Sequence, residues 1–205
     1  DLRMFQNRLS FDLAYYNNNT TNDIVNVATS PFSGFNGASA NLGEISNVGF
    51  EFLVSGTPIR TANFEWNVSL NGAHNIGTVE ATDAVDSDVL LDEPRTRNVR
   101  IHQIVGERFG SIVGVSYERD ANGVIKYDID ADGVPRAVEG ERKILGEGVP
   151  PLTLGFTNSF RYKNFNLNVL VDGKFGGQIF SGTNTLAYGN GLHKATLEGR
   201  ETGLT

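Results

Sequence analysis

Cysteine is absent from all 205 residues, which excludes a disulfide scaffold and a cysteine-ligated zinc site. Long hydrophobic runs are missing as well. Stretches such as Val169-Leu170-Val171 fall far short of the roughly 20 apolar residues that a membrane-spanning helix needs. A helical membrane protein is therefore excluded. That exclusion does not reach a barrel, because each barrel strand shows only alternating hydrophobicity. Positive charge is scarce: 17 Lys and Arg face 24 Asp and Glu, for a net charge of −7. No basic stripe is present to displace counterions from phosphates, so a nucleic-acid partner is excluded. No signal peptide is recognisable, and the opening Asp1-Leu2-Arg3 reads as a start inside a longer chain.

Catalytic and phosphate-binding signatures are lacking too. There is no H-E-x-x-H and no G-x-S-x-G, and Gly173-Lys174-Phe175-Gly176-Gly177 lacks the phosphate-loop spacing. That glycine run reads as a strand relaxing into a bend. His74, His102 and His193 lie far apart and read as structural or loop histidines. The acids Asp83, Asp86, Asp88, Asp92 and Glu93 read as a hydrated loop. Nothing in this inventory points to an enzyme.

What is plentiful suits strands and turns: 24 glycines, 13 phenylalanines and 6 tyrosines in a chain only 39% hydrophobic. Three segments alternate strictly, each just after an asparagine. Leu9, Phe11, Leu13 and Tyr15 follow Asn7; Phe64, Trp66, Val68 and Leu70 follow Asn63; Phe165, Leu167, Val169 and Val171 follow Asn164. Period two places each set on one face of a strand, with Ser, Asn, Asp and Glu on the other. Two more strands run into these from the N-terminal side. Phe50, Phe52 and Val54 precede a turn at Arg60-Thr61-Ala62-Asn63, and Leu152 to Tyr162 precede a turn at Lys163-Asn164.

The remaining connections, from Tyr16 to Phe50 and from His74 to Leu152, are long. Short turns at one end and long loops at the other are the asymmetry of an outer-membrane barrel. A soluble β-sandwich shows turn signals at roughly 8–12-residue spacing throughout. Phe64, Trp66, Phe160, Tyr162 and Phe165 cluster beside the short turns, where a barrel places an interfacial girdle. The expected fold is all-β, an antiparallel transmembrane barrel segment with long extracellular loops. The other reading that these residues allow is a secreted, calcium-stabilised β-sandwich that binds carbohydrate or acts in adhesion. Specificity in a barrel would sit in the loops, here Ser30 to Asn47, Ala81 to Arg119 and Thr183 to Thr205. Phe32, Phe35 and Tyr188 could stack on sugar rings there or pack the loops together.

One motif carries metal chemistry. Asp128-Ile129-Asp130-Ala131-Asp132-Gly133, with Glu139 at the twelfth position, matches the calcium-loop pattern D-x-D-x-D-G-x5-E. Carboxylates at positions 1, 3 and 5 and a bidentate glutamate suit a hard cation. Pro135 and the absence of helical flanks count against it, and Asp132-Gly133 also suits a hairpin turn. Both readings, a bound Ca2+ that stiffens an outer loop and a solvated turn, stand at this point.

Longer stretches resemble a known family, the SusC-like (RagA-like) TonB-dependent transporters of glycan-using bacteria. The resemblance is carried by Asn7-Arg8-Leu9-Ser10-Phe11-Asp12-Leu13-Ala14-Tyr15-Tyr16 and by Asn41-Leu42-Gly43-Glu44-Ile45-Ser46-Asn47-Val48-Gly49-Phe50-Glu51. Phe64-Glu65-Trp66-Asn67-Val68 with His74-Asn75 extends it. So do Arg142 to Gly146, Pro150, Gly155 to Phe160 and Tyr162-Lys163-Asn164-Phe165. Such proteins often carry an acidic glycine turn before an acidic-Arg pair, here Glu141-Arg142, which adds weight to the calcium reading and leaves the solvated turn open beside it. The resemblance implies a late stretch of a barrel of about 22 strands, with residues 1–205 holding part of the barrel domain and lacking the plug and the remaining strands. It implies import of oligosaccharide or peptide across a bacterial outer membrane. The implied partners are a SusD-like surface lipoprotein, the TonB complex acting through the plug, and outer-membrane lipid.

Overall fold

The alternating segments pair as the turn chemistry requires. In the computed structural model, which describes residues 1–27, 32, 34, 37–83, 85–95 and 98–197, β11 (Leu152–Tyr162) and β12 (Phe165–Phe175) form a hairpin. Their two-residue turn holds Lys163 at φ 51°. Strands β3 (Ala38–Arg60) and β4 (Phe64–Ala81) form a second hairpin. Its turn is closed where the Thr61 N–H donates to the Phe64 carbonyl at 2.8 Å and the Phe64 N–H to Thr61 Oγ1 at 3.0 Å.

With β1 (Leu2–Met4) and β2 (Leu9–Val27), these strands make one six-stranded antiparallel sheet in the order β1-β2-β3-β4-β11-β12. The sheet is open, with β1 and β12 at its edges. The β4–β11 pairing joins elements far apart in sequence and keeps one register, from Leu152 opposite His74 to Tyr162 opposite Phe64.

Two strands run further than their alternation does. The expected loop Ser30 to Asn47 is strand from Ala38 onward, and β2 continues to Val27 through the polar run Asn17 to Asn22. A ladder needs backbone partners and no apolar face, so a polar strand persists once its partner, here β3, is alongside. Residues 28–31, 33, 35 and 36 lie outside the described residues, and the expectation for Phe35 lies there with them.

The stretch between β4 and β11 is folded. A four-stranded sheet of β5 (Val89–Asp92), β6 (Val99–Gln103), β7 (Ser111–Tyr117) and β10 (Glu139–Glu147) has the order β10-β7-β6-β5. Strands β8 (Tyr127–Ile129) and β9 (Pro135–Ala137) form a small hairpin beyond it. Helix α1 (Gly182–Gly189), N-capped by the Ser181 side chain, follows β12. Val79, Val89, Val99, Ile112 and Val113 are buried, so the core of the described residues gathers around the second sheet. The apolar side chains of the six-stranded wall stay exposed, as Leu13 (74%), Phe165 (79%) and Val171 (61%) do.

Candidate functional site: a two-faced strand wall and the sheet inside it

Register carries the alternation of single strands across the whole wall. Val171, Phe156, Leu70, Val54 and Phe11 stand side by side on β12, β11, β4, β3 and β2. One step along every strand, Leu170, Thr157, Ser69, Ser55 and Ser10 form the next row. Side chains of adjacent rows point to opposite faces, so one face is apolar and the other carries hydroxyls, amides and charges. Asn158 departs from the pattern by falling in an apolar row, with Val169 and Val68 as neighbours. Its Oδ1 accepts the indole N–H of Trp66 at 3.2 Å, which satisfies two polar groups on the oily side at once.

The length of the apolar band matches a bilayer. On β12 it runs from Phe165 to Phe175, and on β4 from Phe64 to His74, about ten residue steps at about 3.4 Å each. Tilted by the roughly 40° usual for such strands, this spans about 26 Å, close to the roughly 25 Å apolar band of outer-membrane barrels. Aromatic groups mark both ends: Phe165, Tyr162 and Phe64 share the row at the short turns. Phe175, His74, Phe50 and Tyr15 share the row at the far end, where His74 stacks on Phe50. The next row on that face is mixed, Asn17 beside Val48 and Ile76, and beyond it the face turns polar, with Asn19 on β2, Ser46 on β3 and Thr78 and Glu80 on β4, and Ser46 donates to Glu80.

On the wet face near the short turns, Arg161 donates to Glu65 at 2.6 Å and Arg60 stands 3.5 Å from the same oxygen. Asn67 holds the other Glu65 oxygen at 3.0 Å and accepts from Thr57 at 2.6 Å. This surface can bind water and polar solutes through many weak, replaceable hydrogen bonds.

The second sheet closes onto the wet face at the other end. Past Asn75, β4 loses β11 as a partner and takes the loop instead. The Val79 N–H donates to Glu107 O at 2.9 Å, Gly106 N–H to Val79 O at 2.8 Å and Phe109 N–H to Gly77 O at 3.0 Å. His102, buried on β6, lies between Asp88 and Arg142. An arginine can only donate, so His102 Nε2 accepts from it and the Nδ1 proton faces Asp88. The histidine expected to be structural thus pins β5, β6 and β10 together. His193 stacks on Tyr188 at 4.0 Å.

The calcium-like segment folds as the β8–β9 hairpin. Asp130 Oδ1 accepts the backbone N–H of Asp132 at 3.0 Å and of Val134 at 2.9 Å, and Oδ2 accepts from Arg136 at 2.5 Å. Gly133 supplies the left-handed φ of 81° that the turn requires. These contacts, the Val134 N–H foremost, hold the Asp130 carboxyl below its ordinary pKa. Among the described residues no group of three or more His, Asp or Glu side chains stands close enough to hold a metal ion. Asp130 is thus taken up by its own turn, and Asp128, Asp132 and Glu139 are not gathered around it in this arrangement. The same device occurs ten residues earlier. In Asp120-Ala121-Asn122-Gly123-Val124, Asp120 Oδ1 accepts from Asn122 at 2.8 Å and Val124 at 2.9 Å, with Gly123 at φ 82°.

Known proteins share this pattern. The family model described as "TonB dependent receptor-like, beta-barrel" matches residues 2–198. The chain belongs to that family. Among its relatives, TonB-dependent receptor P3 of Formosa agariphila is 28% identical over 218 residues, covering 97% of this chain and 22% of that protein. TonB-dependent receptor SusC of Bacteroides thetaiotaomicron is 27% identical over 158 residues, covering 72% of this chain and 16% of SusC. The RagAB peptide transporter structure superposes with a TM-score of 0.61 at 21% identity, over 84% of this chain and 20% of that one. Its open-open state gives 0.64. This TonB-dependent receptor barrel chain spans about a fifth of the length of the relatives it matches.

Sequence reasoning missed the inner sheet. Its signal lay in short apolar runs, Val89-Leu90-Leu91 and Ser111-Ile112-Val113, embedded among the acids read as a hydrated loop. Two of those acids build the fold. Asp83 caps its turn through Val85 and Ser87, and Asp88 meets His102.

Proposed function

We propose that this chain is part of the wall and outer mouth of an outer-membrane importer energised through TonB. The observation that carries this reading is the split of whole rows into an apolar face of bilayer length and a wet face covered at one end by an inner sheet. The apolar face meets lipid, the wet face lines the solute route, and the inner sheet narrows its outer entrance. Passage needs no covalent chemistry from these residues, and no catalytic role is assigned. The relatives' names support TonB dependence, and the RagAB and SusC likenesses support a nutrient cargo of oligosaccharide or peptide together with a SusD-like lipoprotein over the mouth. Uptake by cells carrying the whole protein tests this. Deleting its gene, or collapsing the proton-motive force, is expected to abolish accumulation of one labelled nutrient class. Undiminished uptake of every class tested would reject the proposal.

A further inference from the structure

Where the inner sheet meets the wall, the two leave a cavity of about 190 Å³ on the wet side. Asn75 and Gly77 of β4 and Ile45 of β3 line it from the wall, and Arg108, Phe109 and Val149 from the inner segments. Both sides are fixed, because the Phe109 N–H donates to Gly77 O at 3.0 Å and the Asn75 N–H to Pro151 O at 2.9 Å. The space therefore exists before any ligand arrives. Gly77 keeps it open, since a Cβ there would stand 3.1 Å from Asn47 Oδ1 and 3.6 Å from the Cβ of Phe109.

The polar residues that line this otherwise apolar space are Asn47, Asn75 and Arg108. Asn75 Nδ2 donates to Asn47 at 3.2 Å, while Asn75 Oδ1 is buried with no hydrogen-bond partner among the described residues. Arg108 is part-buried and binds Glu147 through Nη1, one nitrogen of a guanidinium that carries five N–H donors. A fitting group brings one donor, one acceptor and an aliphatic body. A peptide residue has all three: an N–H for Asn75, a carbonyl for Arg108 and a side chain for Ile45, Phe109 and Val149. A sugar ring carries hydroxyls around its rim, and pressing those against Ile45 and Val149 without partners is costly. The volume is below the roughly 300 Å³ at which pockets for whole small molecules begin, so it suits one residue of a longer cargo.

We infer that this cavity holds one aliphatic residue of a peptide cargo at the outer mouth, an inference that rests on the import reading above and names its substrate class. The test uses the whole protein in detergent micelles, incubated with a tryptic digest of casein or with a mixture of maltooligosaccharides, and read by native mass spectrometry and calorimetry. Peptides bearing aliphatic residues should be retained. Val149→Trp, which fills the cavity from an exposed connection, should weaken them at least about tenfold. Gly77→Ala, a smaller intrusion, should weaken them in the same direction if the tryptophan variant fails to reach the membrane. Equal peptide binding by wild type and both variants would overturn the inference, as would binding of neither probe. Retention of maltooligosaccharides alone would overturn the cargo chemistry and leave import standing. Import itself fails only if the cellular uptake experiment fails.

Discussion

Asp120 and Asp130 show how a single side chain sets a turn. Each carboxylate accepts two backbone N–H groups within its own five-residue turn, and each is held below its ordinary pKa, with the Val124 or Val134 N–H as the largest cause. A carboxyl lowered on folding contributes order that is full above the unfolded value and is lost as pH falls through the folded one. The two turns should therefore keep their protection to a lower pH than the titration of an ordinary aspartate would allow, and open below that. Hydrogen exchange at the Val124 and Val134 amides checks this, and Asp120→Ala or Asp130→Ala should erase the protection at neutral pH in its own turn only. The same contacts set an expectation for calcium. Because the Asp130 oxygens already have partners, millimolar calcium should leave both the exchange of this hairpin and the melting of the whole protein unchanged. A calcium-dependent slowing that Asp128→Ala removes would restore the metal-loop reading.

At the scale of elements, the two faces of β12 should respond oppositely to one charge. Val169 lies on the apolar face near the middle of the band, and Val169→Arg should cost about 2–4 kcal/mol of barrel stability, the usual penalty at a bilayer midplane. Asn168→Arg, one residue away, should be tolerated. Denaturant titration of the barrel in lipid vesicles measures both. In the inner sheet, Val113→Ala removes two methyl groups from a buried site and should cost on the order of 2 kcal/mol, read as faster exchange across β6, β7 and β10. These elements were unequally legible. Strands β4, β11 and β12 could be read directly because one face must be oily and period two leaves a trace in sequence. Outward of Tyr16 and His74 the alternation is broken by the polar run Asn17 to Asn22 on β2 and by a mix of apolar and polar residues on β3, so both strands continue without that trace and their extensions passed for loops. The inner sheet was harder still. Its strands are short, its core is assembled from Val79, Val99 and Val113 far apart in sequence, and backbone pairing with β4 has no side-chain signature. The wet face could be read as a polar lining, but the cavity at Gly77 could not, since it depends on how two sheets meet.

At the scale of the whole molecule, the described residues form one side of an enclosure. The wall has the two faces, the length and the aromatic ends that a strand sheet needs to separate lipid from water, and the inner sheet puts a folded obstacle at one end of the wet side. The absence of cysteine from these 205 residues makes this arrangement directly measurable. In the whole protein, with any cysteine outside this stretch replaced, single cysteines can be placed in turn from Phe165 to Phe175 and probed in intact outer membranes with a small, charged, thiol-reactive reagent. Positions 166, 168, 172 and 174 should react quickly and positions 167, 169 and 171 slowly, an alternation of period two across the full length of β12. Uniform reactivity along the strand, or fast labelling at 167, 169 and 171, would contradict a lipid-facing wall.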